Sequence, residues 1–195
     1  FGLFSVLSAL GARAEAGRLQ MPALRAVGGV VKGGVAKLVG GVGGLLGLFI
    51  AGYTGILLSV TNRPIWADSP WLGALFVASA VSTGAATLIL LSPGRGATER
   101  SLGWLSSFDT KALVVELLVL AAFIWSLGPI NRVWVSFWGL LLLVGVVGFG
   151  ILAPLQMHAK PAQAAKLVLL GGFLLRLATM LASEGIDRYR MTAGL

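Results

Sequence analysis

Arg176 and Glu116 are the two side chains least at home among their neighbours. Arg176 lies in the otherwise apolar run Ala165–Ser183, and Glu116 in the run Ala112–Leu127. A charge inside such a run is costly, so each is a functional candidate by default. Arg176 keeps its proton and therefore needs a carboxylate, carbonyl oxygens or water beside it. Glu116 can take up and release a proton, which makes the two together candidates for a proton path. Its other reading is structural: a carboxylate that snorkels to the helix end or pairs with Lys111. On helical spacing Glu116 and Arg176 differ in depth by about 9 Å, a gap that water bridges.

Tyr53 and Thr54 form a second group, in Gly52-Tyr53-Thr54-Gly55. A tyrosine hydroxyl in apolar surroundings seeks a partner, either a neighbouring helix or a ligand carbonyl. A third group lies in the turn from Thr61 to Pro70, with Arg63, Trp66 and Asp68 as candidates for docking a partner. Pro64 and Pro70 stiffen that turn, and Asp68 or Ser69 can cap the helix that follows. Ser82, Thr83 and Thr87 are expected to bond back to their own helix or across to a neighbour. Asp109 and His158 read as loop residues. Catalytic residues in the strict sense are absent: no nucleophile elbow, phosphate loop or cluster of metal ligands occurs.

The elements that must position these groups follow from composition. Of 195 residues, 57% are hydrophobic and 11% charged, against about 25% charged in soluble domains. A chain of this size cannot hide so much apolar surface in a water-soluble core. The fold class is therefore all-α, a polytopic transmembrane helix bundle. About 20 apolar residues cross the hydrocarbon as a helix. Five spans are expected, at about 38–60, 71–91, 112–127, 133–155 and 165–183, with the third extending into polar flanks. Residues 1–11 are apolar but too short to cross, and are expected to be a partial helix, the tail of a transmembrane helix, or else a short interfacial one. Residues 1–37 then form this tail and a basic cytoplasmic loop, and residues 38–195 the membrane bundle.

The net charge of +8 is explained by sidedness. Arg13, Arg18, Arg25, Lys32 and Lys37 precede the first span. Arg95, Arg100 and Lys111 lie between the second and third, and Lys160 and Lys166 between the fourth and fifth. The opposite side holds only Arg63, Arg132, Arg188 and Arg190. The positive-inside rule puts residues 11–37 in the cytoplasm and the C-terminus outside a bacterial or archaeal inner membrane. Membrane lipids are natural partners of this charge, and nucleic acid is not. Trp66, Trp71, Trp134 and Trp138 fall at the expected outer border. With no cysteine and the single histidine His158, the chain carries no iron–sulfur cluster and no haem of its own. Glycine, at 28 residues, suits close helix packing in lipid.

The strings themselves say more. Phe49-Ile50-Ala51-Gly52-Tyr53-Thr54-Gly55-Ile56-Leu57-Leu58-Ser59, Asn62-Arg63-Pro64-Ile65-Trp66 and Leu75-Phe76-Val77-Ala78-Ser79-Ala80-Val81-Ser82-Thr83-Gly84-Ala85-Ala86 resemble the NrfD/PsrC family, the membrane subunits of polysulfide reductase and related respiratory complexes. Glu116, the stretch Gly150–Leu155 with Pro154, and Gly171–Arg176 continue the resemblance more loosely. It implies a haem-free bundle that exchanges electrons between quinone or menaquinone and a separate iron–sulfur subunit. A molybdopterin catalytic subunit often lies beyond. It also implies that Tyr53 contacts the quinone, and Thr54 beside it is a quinone-binding candidate by position. Family members begin with about three helices that precede the matching region, so residues 1–11 are expected to match the tail of the third. Two rival readings stand beside it: a membrane anchor or scaffold without redox chemistry, and part of a transporter. Inverted repeats and broken helices, the usual signs of a transporter, are not evident.

Overall fold

The computed structural model describes residues 2–17, 22–61, 63, 65–92, 97–128, 135–157 and 160–193, with side chains as far as Ser183 and without that of Arg25. The loop histidine His158 lies outside the described residues, as do Arg18, Asn62, Pro64, Arg95, Arg132 and Trp134. Every described element is helical. The chain divides into two compact units, with the boundary between Ile50 and Ala51.

The first unit begins with α1 (Gly2–Glu15) and α2 (Pro22–Val30). Pro22 starts α2, where its fixed φ and missing N–H cost nothing. Gly17, at φ +66°, ends α1 in the left-handed region that glycine enters freely. The two helices touch at glycines. A Cβ on Gly11 would lie 2.8 Å from the Val31 carbonyl oxygen, and one on Gly28 2.6 Å from that of Leu10. The segment expected as a basic loop, residues 11–37, therefore holds the end of α1 and all of α2. Glycines at the contact let it pack, despite its arginines. The next helix, α3 (Gly33–Ser59), starts five residues before the expected span and carries the unit boundary.

The second unit contains the end of α3, then α4 (Trp71–Leu91), α5 (Glu99–Ser126), α6 (Phe137–Gln156) and α7 (Pro161–Ala193). Among the described residues, four helices are long and apolar enough to cross a membrane: α3, α4, α6 and α7 over Pro161–Ser183. The remaining expected span, the third, falls on α5. At 28 residues α5 is long enough, but it carries Glu99, Arg100, Asp109, Lys111 and Glu116. Thr98 caps it by accepting the Ser101 N–H at 3.2 Å, and Gly128 at φ +51° closes its far end. A capped start at Thr98 carries the helix thirteen residues beyond the expected border at 112. Asp109, expected in a loop, is consequently a buried helix residue.

Helix α4 is central. It packs on α5 along one side and on α7 along another, while α6 packs on α7. Leu75, Leu113, Leu120, Phe123, Ile151, Val168 and Leu175 fill the interior. Leu118, Trp125, Leu143 and Phe173 stay exposed on the outer rim, where a bilayer offers apolar solvent. Lipid drives no burial of apolar side chains between helices, so close backbone approach must hold the bundle. Gly55 meets the backbone of Gly73 where α3 and α4 cross, and Gly150 meets Gly171 where α6 and α7 cross. Gly145 adds a close seat for Leu174, whose Cδ1 would be 2.8 Å from a Cβ there. Residues Leu141–Leu152 of α6 are wound as a π-helix, with bonds between residues five apart. That winding ends just before Pro154, which has no N–H to give the ladder.

Gly171→Ala is expected to push α6 from α7 and cost about 1–3 kcal/mol. Gly84→Ala, where a Cβ meets open space, is expected to be neutral or to stabilise by up to about 1 kcal/mol. Thermal unfolding of the two variants in detergent checks the contrast.

Candidate functional site

The site is assembled by α4. Ser79 and Ser82 are fully buried, and Glu116 is 3% exposed. Ser82 Oγ donates to Glu116 Oε2 at 2.5 Å and lies 3.1 Å from the Ser79 carbonyl oxygen. The Ser79 hydroxyl also interacts with the Glu116 carboxyl. From the other side, Arg176 Nη1 donates to the Gly172 carbonyl oxygen at 2.9 Å and makes a long 3.5 Å contact with Ser79 Oγ. Glu116 on α5 and Arg176 on α7 are thus joined across α4 by two serine hydroxyls.

Local sequence explains why the network fits. Ser79 and Ser82 lie three residues apart and share one helix face. Gly172 supplies the room: a Cβ there would strike Thr83 Cγ2 and come within 3.3 Å of both Ser79 Oγ and Arg176 Nη1. Thr83 and Thr87 bond back to the carbonyls of Ser79 and Thr83, at 2.6 and 2.7 Å. They follow the expected pattern, whereas Ser82 bonds both its own helix and its neighbour. The Arg176 guanidinium also stands 5.9 Å over the Phe76 ring, a cation–π distance.

Beside this network is a cavity of about 170 Å³ lined by Ala51, Thr54, Phe76, Arg176 and Met180. Thr54 and Arg176, placed in different groups by the sequence, face the same space. Tyr53 follows one residue round the helix, about 100° away. It is 48% exposed and does not line the cavity.

The turn before α4 is tightly braced. Ile65 sits at φ +74°, a strained conformation for a β-branched residue, yet it is fully buried. Asp68 Oδ2 accepts the Ile65 N–H at 3.0 Å. Trp66 Nε1 donates to the Thr179 carbonyl oxygen at 2.9 Å, tying the turn to α7. Arg63 lies 5.5 Å over the Trp66 ring. Ser69 accepts the Trp71 N–H at 3.2 Å and pairs with Ser126 of α5. Pro70 is the N-cap of α4 and its side chain makes no capping hydrogen bond; Ser69 takes up the first helical N–H, while Asp68 supports the strained residue.

Sequence reasoning missed two residues. Ser79, the link to Arg176, looks like any small residue in an apolar helix. Asp109 shares a helix face with Glu116, about 10 Å away along the axis. Its Oδ1 is buried without a hydrogen-bond partner among the described residues. The spacing Asp109, Leu113, Glu116, Leu120, Phe123 is the signal that could have found it.

Ser82→Ala is expected to cost about 1–3 kcal/mol, because it strips a donor from a buried carboxyl. Glu116→Gln, which still offers Ser82 an acceptor, is expected to cost less. Unfolding midpoints of the two variants decide.

A family model described as polysulfide reductase, NrfD_2, matches residues 10–187. A protein described as an NrfD homolog, from Haemophilus influenzae, is 32% identical over 123 residues. That alignment covers 57% of this chain and 38% of the relative, so the chain spans well under half of that protein's length. No solved structure matches. The family match runs through every helix that builds the serine-bridged network, and on it this chain belongs to the NrfD-type polysulfide reductase family of membrane proteins.

Proposed function

We propose that this chain is a quinone- or quinol-interacting membrane subunit of a respiratory oxidoreductase. The observation that carries the reading is the cavity shared by Thr54 and Arg176, beside a buried network that ends in a carboxyl. A dry cavity of about 150 Å³ accepts one benzene ring, so about 170 Å³ suits a single quinone ring. Phe76 and Met180 offer the ring apolar contact. The Thr54 hydroxyl and the Arg176 guanidinium are donors suited to a quinone carbonyl. Tyr53, at the neighbouring position on α3, would serve the ring's approach or its second carbonyl.

Oxidation of a quinol releases two protons and two electrons. The protons would leave past the Ser79 and Ser82 hydroxyls to the Glu116 carboxyl, on a route that Arg176 lines while keeping its own proton. The electrons would pass to an iron–sulfur subunit, with a molybdopterin catalytic subunit beyond it, and reduction of quinone would run the same route in reverse. The braced turn with Arg63, Trp66 and Asp68 offers such a partner a rigid surface. By the excess of Lys and Arg on the other side, that turn faces outside the inner membrane, as does the C-terminus. The relative's name and the family description support a place in such a complex.

Quinol turnover by the purified complex tests the reading. Ala51→Phe, which fills the cavity, and Tyr53→Phe are each expected to slow turnover by about tenfold or more, the scale of one lost hydrogen bond or positioning contact. Partner subunits should stay bound in both. Unchanged turnover in both variants would leave a membrane anchor without redox chemistry. Full turnover and full proton release in Glu116→Gln would remove the proton route while sparing the quinone site.

A further inference from the structure

A second and larger space lies on the opposite side of the α4–α5 pair. It is a groove of about 540 Å³ whose lining includes Ala78 and Val81 of α4 and Phe108, Lys111, Val115 and Val119 of α5. Among the described residues that line it, Lys111 is the charged one. From Phe108 to Val119 the groove follows α5 for about 16 Å, close to the depth of one leaflet's hydrocarbon. Alanine at the floor and valines at the walls leave a track with no hydrogen-bonding side chain. Its occupant must be a long hydrocarbon with a polar end at Lys111.

The order of residues along α5 fixes which end is polar. Helical side chains lean toward the N-terminus, so the exposed Lys111 ammonium reaches back toward Phe108 and Trp104. Those rings stack with centroids 5.5 Å apart and planes at 13°, and both are exposed. Exposed tryptophan on a membrane helix marks headgroup depth. Glu99 and Arg100, one turn further out, are exposed too. Water-facing charge, interfacial aromatics, a cation and then an acyl-sized track therefore follow in sequence along one helix.

We infer that the α4–α5 groove binds an anionic diacyl membrane lipid, its phosphate at Lys111 and one acyl chain along Val115 and Val119. A zwitterionic lipid fits the same track, but its headgroup charge cancels and the ammonium gains little. The site is separate from the Thr54–Arg176 cavity and shares no lining residue with it.

Native mass spectrometry of the detergent-solubilised complex tests this, with dioleoyl phosphatidylglycerol or dioleoyl phosphatidylcholine added in turn. The lipid that survives the highest collision energy is expected to be phosphatidylglycerol, favoured by about fivefold, the scale of one lysine at a membrane surface. Lys111→Gln should bring the two lipids to parity. Val115→Trp should lower retention of both, and Lys166→Gln, outside the groove, should leave the preference intact. Equal retention by the unaltered complex would overturn the inference. So would a preference that survives Lys111→Gln, or full retention in Val115→Trp.

Discussion

A carboxyl and a guanidinium sit inside a bundle that has almost nothing else polar to offer them. An ionisable group in such surroundings is tolerated only when donors and acceptors are built around it. Here the builders are two serines on one face of α4. Their position requires α5 on one side and α7 on the other, each turned so that one polar side chain faces inward. The register of three helices has to meet this requirement. In a soluble protein apolar burial would set that register, but in lipid apolar side chains gain little by meeting each other.

Glycine makes the requirement affordable in space. Gly172 leaves the opening through which Arg176 reaches Ser79, and a methyl group there would occupy it. Gly150 and Gly171 bring α6 against α7, and Gly55 and Gly73 do the same for α3 and α4. Tight crossings on the two flanks hold α7 and the end of α3 near enough to share one small cavity. That cavity has a hydroxyl, a guanidinium and two apolar walls, a combination suited to a flat ring with polar edges. The braced turn contributes from the end of the bundle. Its strained Ile65 is held by Asp68 and its Trp66 is tied to α7, so the start of α4 is fixed relative to Arg176.

Much of this was legible in the residues. Long apolar runs could only be membrane helices; α4 runs over the expected 71–91, while α7 begins at Pro161 and continues ten residues past the expected 183. The helix α5 was harder. Its charged first half hides a helix because hydropathy measures composition, whereas its start is fixed by a hydroxyl cap at Thr98 and its buried face by spacing. The same blindness put Asp109 in a loop. Residues 11–37 misled in a similar way, since their arginines conceal the small residues through which α2 packs on α1.

The sequence by itself determined the class of solvent, the helical architecture, the family and the short list of polar groups worth watching. Those depend on residue type and order along one chain, which local chemistry reads directly. Only the tertiary structure decided which of those groups meet. Glu116 and Arg176 lie sixty residues apart and touch through hydroxyls of a third helix. Thr54 shares a cavity with Arg176 across more than a hundred residues. Such meetings depend on helix rotation and crossing depth, and close glycine contacts between distant segments set both.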